Sequence, residues 1–174
     1  NNYQPLEVVS RNTIGSNNLY TNFTSISTSK EKLKTYAFIN YKKGNGFRLN
    51  SEFKSLNLFF KSEYEINNNL KISAEITYLK YLAKQAGGLS DLMFDENPYQ
   101  SNRSRNWFGV DWLLYNILYN YNFSNSSKIS VSFFGLNASR NALGFRTNRV
   151  SQIDAMEERD LIKGEFNNFG FEIR

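Results

Sequence analysis

The sequence from Ser55 to Tyr81 reads SLNLFFKSEYEINNNLKISAEITYLKY, and it decides the fold class. Successive side chains of a β-strand point to opposite faces, so alternation of apolar and polar residues predicts a strand with one face of each kind. Before the Asn67-Asn68-Asn69 triplet, the apolar set is Leu56, Leu58, Phe60, Tyr64 and Ile66, and the polar set is Asn57, Lys61, Glu63 and Glu65. After the triplet, Leu70, Ile72, Ala74, Ile76 and Tyr78 alternate with Lys71, Ser73, Glu75 and Thr77. The two halves therefore predict a β-hairpin with a short polar turn.

The same alternation recurs along the chain and predicts eight strands. Their expected bounds are Leu6–Ile14, Leu19–Thr28, Leu33–Lys42, Ser55–Ile66, Leu70–Tyr81, Trp107–Phe123, Lys128–Leu136 and Glu165–Arg174. Apolar faces continue in the later strands with Leu113, Tyr115, Ile117, Tyr119 and Tyr121, then Ile129, Val131 and Phe133, then Phe169, Phe171 and Ile173.

Connections between these strands alternate in length. Those from Ser29 to Lys32, Asn67 to Asn69 and Ser124 to Ser127 are short, and those from Lys43 to Lys54, Leu82 to Asn106 and Asn137 to Gly164 are long. Outer-membrane barrels have short periplasmic turns and long extracellular loops. The pattern favours an all-β, antiparallel, up-and-down transmembrane β-barrel segment, with Gly15 to Asn18 as a short connection on the long-loop side.

Composition narrows the possible functions. The 174 residues include no Cys and no His, which removes the usual ligands for zinc, iron and copper and the usual catalytic bases. No apolar run approaches the roughly 18 residues of a membrane helix, so a membrane protein of this sequence has to cross with strands. The 21 basic residues are dispersed among 16 acidic ones, which argues against nucleic acid as a partner. We expect neither an enzyme nor a resident cofactor.

Two other classes remain open on the alternating pattern. One is a passive outer-membrane channel or small closed barrel, and the other is a soluble carbohydrate-binding β-sandwich. Charged residues in mid-strand, such as Lys61, Glu63 and Glu75, favour a barrel with a polar interior.

Several longer stretches resemble one family. They are Tyr81 to Asp91 (YLAKQAGGLSD), Asn97 to Phe108 (NPYQSNRSRNWF), Asn137 to Val150 (NASRNALGFRTNRV) and Tyr41 to Arg48 (YKKGNGFR). They are similar to TonB-dependent outer-membrane receptors of the ferric citrate, or siderophore, branch. The resemblance implies that residues 1–174 are a partial barrel domain, about eight strands of roughly 22, without the plug and the remaining strands. The first and last strands are then expected not to pair with each other.

The resemblance also implies a function and partners. It predicts a segment of a multi-pass barrel in the outer membrane of a Gram-negative cell, which takes part in active uptake of a ferric chelate such as ferric citrate. Expected partners are the chelate, the receptor's own plug, a TonB-type energy-coupling protein, outer-membrane lipid and lipopolysaccharide. Iron enters only as part of the transported chelate, and the sequence does not identify that chelate.

Candidate substrate-binding residues lie in the expected extracellular loops. They are Arg48, Gln100, Arg103, Arg105, Arg140, Arg146 and Arg149. Guanidinium groups bind carboxylates through two parallel, charge-assisted hydrogen bonds, which suits an anionic chelate. We expect Arg103, Arg105, Arg140 and Arg146 to lie in solvated loops, so that their replacement leaves folding intact. The alternative is that they pair with Asp95, Glu96, Asp154, Glu157 or Asp160, or contact lipopolysaccharide. Gly87, Gly88 and Gly144 are expected to supply turns with positive φ.

Overall fold

A computed structural model describes residues 6–124, 126–144 and 149–174. The elements in chain order are β1 (Glu7–Gly15), β2 (Leu19–Lys30), β3 (Leu33–Gly44), β4 (Phe53–Glu65), β5 (Leu70–Lys84), α1 (Asp91–Glu96), β6 (Trp107–Ser124), β7 (Ser127–Leu143) and β8 (Leu161–Ile173). Over the described residues, no helix is long and apolar enough to cross a membrane.

All eight strands form one antiparallel sheet in the order of the sequence, β1 to β8. Each strand pairs with its neighbours in the chain, which makes the topology up-and-down. β1 and β8 lie at the two edges, and no pairing joins them within the described residues. The predicted fold class, the strand order and the absence of pairing between the first and last strands are confirmed.

The strand bounds agree with the sequence except near the long connections. β7 continues to Leu143 rather than ending at Leu136, and β8 begins at Leu161 rather than Glu165. The added part of β7 reads NASRNAL and lacks apolar alternation. It is a strand because the long β6 offers it a pairing edge, with Leu143 opposite Trp107 and Leu136 opposite Leu114. Backbone pairing here overrides the side-chain pattern.

The register divides the side chains between two faces of the sheet. One side, which we call the apolar face, carries Ile26, Ile39, Leu58, Phe60, Ile76, Leu113, Ile117, Phe133 and Phe171. The other side, the charged face, carries Lys34, Lys61, Glu63, Glu65, Lys71 and Glu75. The predicted separation of Leu56, Leu58, Phe60, Ile72 and Ile76 from Lys61, Glu63 and Glu75 is confirmed.

Ion pairs bridge neighbouring strands on the charged face. Lys61 Nζ lies 3.5 Å from Glu75 Oε2, and these two residues are direct cross-strand partners. Lys71 Nζ lies 2.6 Å from Glu63 Oε1, and Lys34 Nζ lies 3.6 Å from Glu65 Oε1. Each such pair contributes about 0.2–1 kcal/mol. A one-residue slip would move every one of these charges to the apolar face, so together the pairs help to fix the register.

The charged face also carries an aromatic row that the sequence analysis did not assign. The rings of Phe23 and Phe38 have centroids 5.5 Å apart, and those of Phe38 and Phe59 have centroids 5.4 Å apart. Offset aromatic pairs of this kind contribute about 0.5–1.5 kcal/mol beyond the burial of their area. They stabilise the packing of β2, β3 and β4 on the side of the ion pairs that is nearer the long loops.

Candidate functional site

Three long loops lie at one end of the strands, opposite the short turns. The first spans residues 45–52, between β3 and β4. The second spans residues 85–106, between β5 and β6, and contains α1. The third spans residues 144–160, between β7 and β8, of which 144 and 149–160 are described. Because the strands are antiparallel neighbours in chain order, every other connection lies at the same end of the strands. The candidate residues are therefore placed in one region.

Arg48 joins the first long loop to the second. Its Nη1 donates a hydrogen bond to the carbonyl oxygen of Gly87 at 2.8 Å, and its Nε and Nη2 both donate to the carbonyl oxygen of Gln100, at 3.1 and 3.0 Å. The backbone N–H of Leu49 donates to the carbonyl of Tyr99 at 3.0 Å. The guanidinium of Arg48 is therefore occupied by backbone carbonyls of the neighbouring loop.

Asn50 makes a second connection between the same two loops. It is buried, its φ is +56°, and its Nδ2 donates to the carbonyl oxygens of Gln85 (3.2 Å), Asn106 (3.1 Å) and Arg103. Asn is one of the few residues besides Gly that adopts the left-handed conformation readily. Sequence analysis did not single out Asn50. The available signal was an Asn near the end of the loop, because Asn adopts a positive φ more readily than other non-glycine residues.

Arg103 and Asn102 attach the second long loop to the third. Arg103 is only 6% exposed, and its Nη1 donates to the carbonyl oxygens of Asn102 (2.8 Å) and Gln152 (2.5 Å). The side-chain amide of Asn102 donates to the carbonyl of Val150. The expectation that Arg103 is solvated is wrong, because the third loop covers it.

Arg105 and Asp154 form a bidentate ion pair between these loops. Arg105 Nε donates to Asp154 Oδ2 at 2.9 Å, and Nη2 donates to Oδ1 at 2.8 Å. The Asp154 side chain is 2% exposed and also accepts hydrogen bonds from the backbone N–H of Met156 (3.0 Å) and from Arg159 Nη2 (3.4 Å). The hydrogen bond from Arg105 outweighs the effect of burial and lowers the pKa of Asp154 to about 2. The same contact raises the pKa of Arg105.

The pairing of Arg105 with Asp154 is one of the alternatives that the sequence left open. It corrects the expectation that Arg105 is solvated, since removal of Arg105 would leave a buried carboxylate without its main partner. The side chain of Gln100 also has a partner, because its Nε2 donates a hydrogen bond to the carbonyl of Met93 within α1.

Arg140 differs from the other candidates in its position. It lies within β7, opposite Val110 and Gly164, and not in the third loop as the sequence suggested. Its side chain is exposed on the charged face at the loop end of the sheet, and the described residues place no acidic partner beside it. Arg149 is exposed in the third loop, where its backbone N–H donates to Gln152 Oε1 at 3.3 Å. Arg146 lies outside the described residues.

The glycine predictions are confirmed in part. Gly87 has a φ of +77°, as expected for a turn glycine, and a Cβ added there would lie 2.5 Å from Arg103 Cγ. Gly88 and Gly144 are not in the left-handed region, so the expectation for them is wrong. Among the described residues, no group of three or more acidic side chains is arranged to hold a metal ion.

One solved structure is similar to this chain. The sheet matches the ferric citrate transporter FecA, in its unliganded form, with a TM-score of 0.68 and 18% sequence identity. The match covers 82% of this chain and 22% of the transporter, so the chain spans less than a quarter of the length of the protein that it matches. No family model matches the chain. No curated protein matches it in sequence. The likeness confirms the fold, an up-and-down sheet equivalent to a segment of that transporter's barrel.

Proposed function

We propose that this chain supplies a wall segment and three loops of a TonB-dependent outer-membrane transporter that takes up an anionic ferric chelate such as ferric citrate. The observation that carries the proposal is the apolar face of an up-and-down sheet whose backbone matches a segment of the ferric citrate transporter. In such a protein the chain has no catalytic task. The wall encloses the path, and the loops select the ligand.

The distribution of side chains supports a position in the outer membrane. The apolar face presents Ile, Leu and Phe residues across all of the central strands, as lipid contact requires. Tyr64 and Tyr121 lie at its turn end, while Tyr20 and Tyr41 lie at its loop end. Aromatic residues in two such bands are typical of the two membrane interfaces. The charged face would then line the interior, where water or a plug domain satisfies its polar groups.

Two kinds of arginine are present in the loop region, and they support different roles. Arg48, Arg103 and Arg105 hold the loops together through backbone carbonyls and Asp154. Arg140 is exposed and lies on the face that would line the interior, close to the strand ends from which the loops emerge. Arg140 is therefore the most suitable of the candidates to bind a carboxylate of an anionic chelate, with Arg149 in the adjacent loop as the second.

The remaining components of such a transporter would come from outside these 174 residues. A plug domain would close the interior and approach the loops from the charged face, and a TonB-type protein would deliver energy to the plug. We include both as proposed partners, together with outer-membrane lipid and lipopolysaccharide.

The test uses the intact protein in cells that lack other iron-citrate transporters. Uptake of radioactive iron presented as citrate chelate should depend on this protein and should stop when the proton-motive force is dissipated by an uncoupler. Uptake that persists with the uncoupler would support the passive-channel alternative instead. No uptake of the chelate, together with failure of the purified protein to bind it, would overturn the proposed substrate. Recovery of the protein in a soluble fraction would overturn the membrane assignment.

A further inference from the structure

Lysines are concentrated at one end of the apolar face. The register places five of them on this face near the long loops, namely Lys43, Lys54, Lys80, Lys84 and Lys163. Asp111 and Glu165 are the acidic strand residues in the same region. At the turn end of the apolar face, Lys30 is the sole charged residue within the described strands. The face is thus basic at one end and nearly uncharged at the other.

Lys43 and Lys54 are direct cross-strand partners in β3 and β4. Like charges placed directly opposite each other destabilise a sheet. Lys80 and Lys84 each have an acidic partner at 3.8 Å, Asp111 and Glu52 respectively. By contrast, no acidic side chain in the described part of the chain pairs with Lys43 or Lys54. An anion bound between these two ammonium groups would remove their repulsion.

The surroundings of this lysine pair are apolar and aromatic. A groove of about 810 Å³ runs along this end of the sheet, and its lining includes Ile14, Tyr20, Leu82, Lys43 and Lys54, together with the ion pair of Lys84 and Glu52. Lys54 Nζ lies 5.8 Å from the centre of the Tyr41 ring. The groove therefore combines ammonium groups with hydrophobic side chains, which suits an anion that carries an apolar tail.

We propose that Lys43 and Lys54 bind the phosphate of an outer-leaflet lipid whose acyl chains lie along the apolar face below them. This inference rests on the proposed position of the chain in the outer membrane. Charge complementarity carries it, because Lys is a point-charge partner for phosphate and the pair has no acidic partner of its own within the described residues. The long lysine stems lie against apolar surface while their ammonium groups reach the headgroup level.

The experiment measures lipid binding to the intact protein in detergent by native mass spectrometry. The probe is bisphosphorylated lipid A, compared with the same lipid after removal of its phosphates, and with inorganic phosphate. The test variant is Lys43→Gln with Lys54→Gln. The matched control is Lys30→Gln with Lys42→Gln, because Lys30 lies at the turn end of the apolar face and Lys42 lies on the charged face next to Lys43. Both variants remove the same charge.

The expected result is a loss of about tenfold to thirtyfold in lipid A affinity for the test variant, with a change of less than about threefold for the control. Wild-type protein should bind the phosphorylated lipid more tightly than the dephosphorylated form. Equal binding by test variant and wild type would overturn the proposal, and so would competition by millimolar inorganic phosphate, which would indicate a site for free phosphate. If the wild-type protein binds lipid A through these lysines but takes up no ferric chelate, the proposed substrate is overturned and this inference stands.

Discussion

Arg105 and Asp154 join the second and third long loops through two parallel hydrogen bonds, with N–O distances of 2.9 and 2.8 Å. The carboxylate is almost completely buried, and the guanidinium is one of three that hold the loop region together. With Arg48 and Arg103, it converts three separate loops into a single unit above the sheet. Arg48, Arg103 and Arg105 therefore stabilise the arrangement of the loops.

Replacement of Asp154 by Asn should loosen the contact between the second and third loops. A hydrogen bond to a charged group contributes about 1.5–3 kcal/mol. Amide hydrogen exchange in residues 101–105 and 149–156 should therefore become about tenfold to a hundredfold faster. The matched control is Glu157→Gln, because the Glu157 side chain is 73% exposed and lies 3.5 Å from Arg159 Nη1. Unchanged exchange in the Asp154→Asn protein would show that the ion pair does not hold these loops.

Acid should have the same effect as the Asp154→Asn substitution. The pKa of Asp154 is lowered from 3.8 to about 2 in the folded protein, so the contact contributes its full stabilisation above pH 3.8 and loses it as the pH falls towards 2. Cleavage of the loops by pepsin, expressed relative to cleavage of an unstructured peptide at the same pH, should rise as the pH falls across this range in the wild type. In the Asp154→Asn protein, which has no carboxyl group to protonate at this position, loop cleavage should already be fast at pH 4 and should change little. A wild-type profile that is flat between pH 4 and 2 would contradict the assignment.

Sequence predicted the sheet well because the strand pattern is local. The alternation of Leu58 and Phe60 with Asn57 and Lys61 predicts which face each side chain occupies, and the prediction needs no distant residue. The pattern fails in residues 137–143, where pairing with β6 determines the strand and the side chains do not alternate.

The loop contacts could not be read in the same way. Arg48 meets Gly87 and Gln100 across large separations in the chain, and these contacts follow from the positions at which β4 and β5 end. Composition identified an arginine-rich region, but an arginine that binds backbone carbonyls has the same sequence signature as one that binds a ligand. Only the geometry shows that Arg103 is buried against backbone carbonyls while Arg140 is exposed.

Gly87 should be intolerant of substitution. Its φ of +77° disfavours any residue with a Cβ, and an added Cβ would lie 2.5 Å from Arg103 Cγ and 2.6 Å from Asn102 Oδ1. Gly87→Ala should therefore cost at least about 1–2 kcal/mol of local stability, visible as faster proteolysis of the second long loop. Gly88→Ala is the control, since its Cβ would meet Val150 at an ordinary 3.5 Å. Equal proteolysis of the two variants would contradict the role given to Gly87.

The two faces of the sheet should respond oppositely to a new charge. Ile76→Lys places an ammonium group on the apolar face in the middle of β5; in the proposed outer-membrane position, lipid contact would make this cation cost about 2–4 kcal/mol. Thr77→Lys, one residue further, places the same group on the charged face. The first variant should reduce the amount of folded, heat-modifiable protein in the outer membrane, and the second should leave it near the wild-type amount. The reverse order would show that the charged face contacts lipid.

Arg140 should contribute to ligand affinity without contributing to folding. Its side chain is exposed, and the described residues give it no acidic partner, so Arg140→Gln leaves no buried charge behind. A charge-assisted contact with the chelate contributes about 1.5–3 kcal/mol, which corresponds to a loss of about tenfold to a hundredfold in affinity. Titration of iron-loaded citrate into the intact protein measures this loss, and a thermal melt of each variant checks the fold. The control is Arg11→Gln, which removes an exposed guanidinium from the charged face at β1, far from the third loop. This variant should change affinity by less than about threefold. If the Arg140 and Arg11 variants bind the chelate equally well, Arg140 does not contact it and the role proposed for Arg140 is overturned.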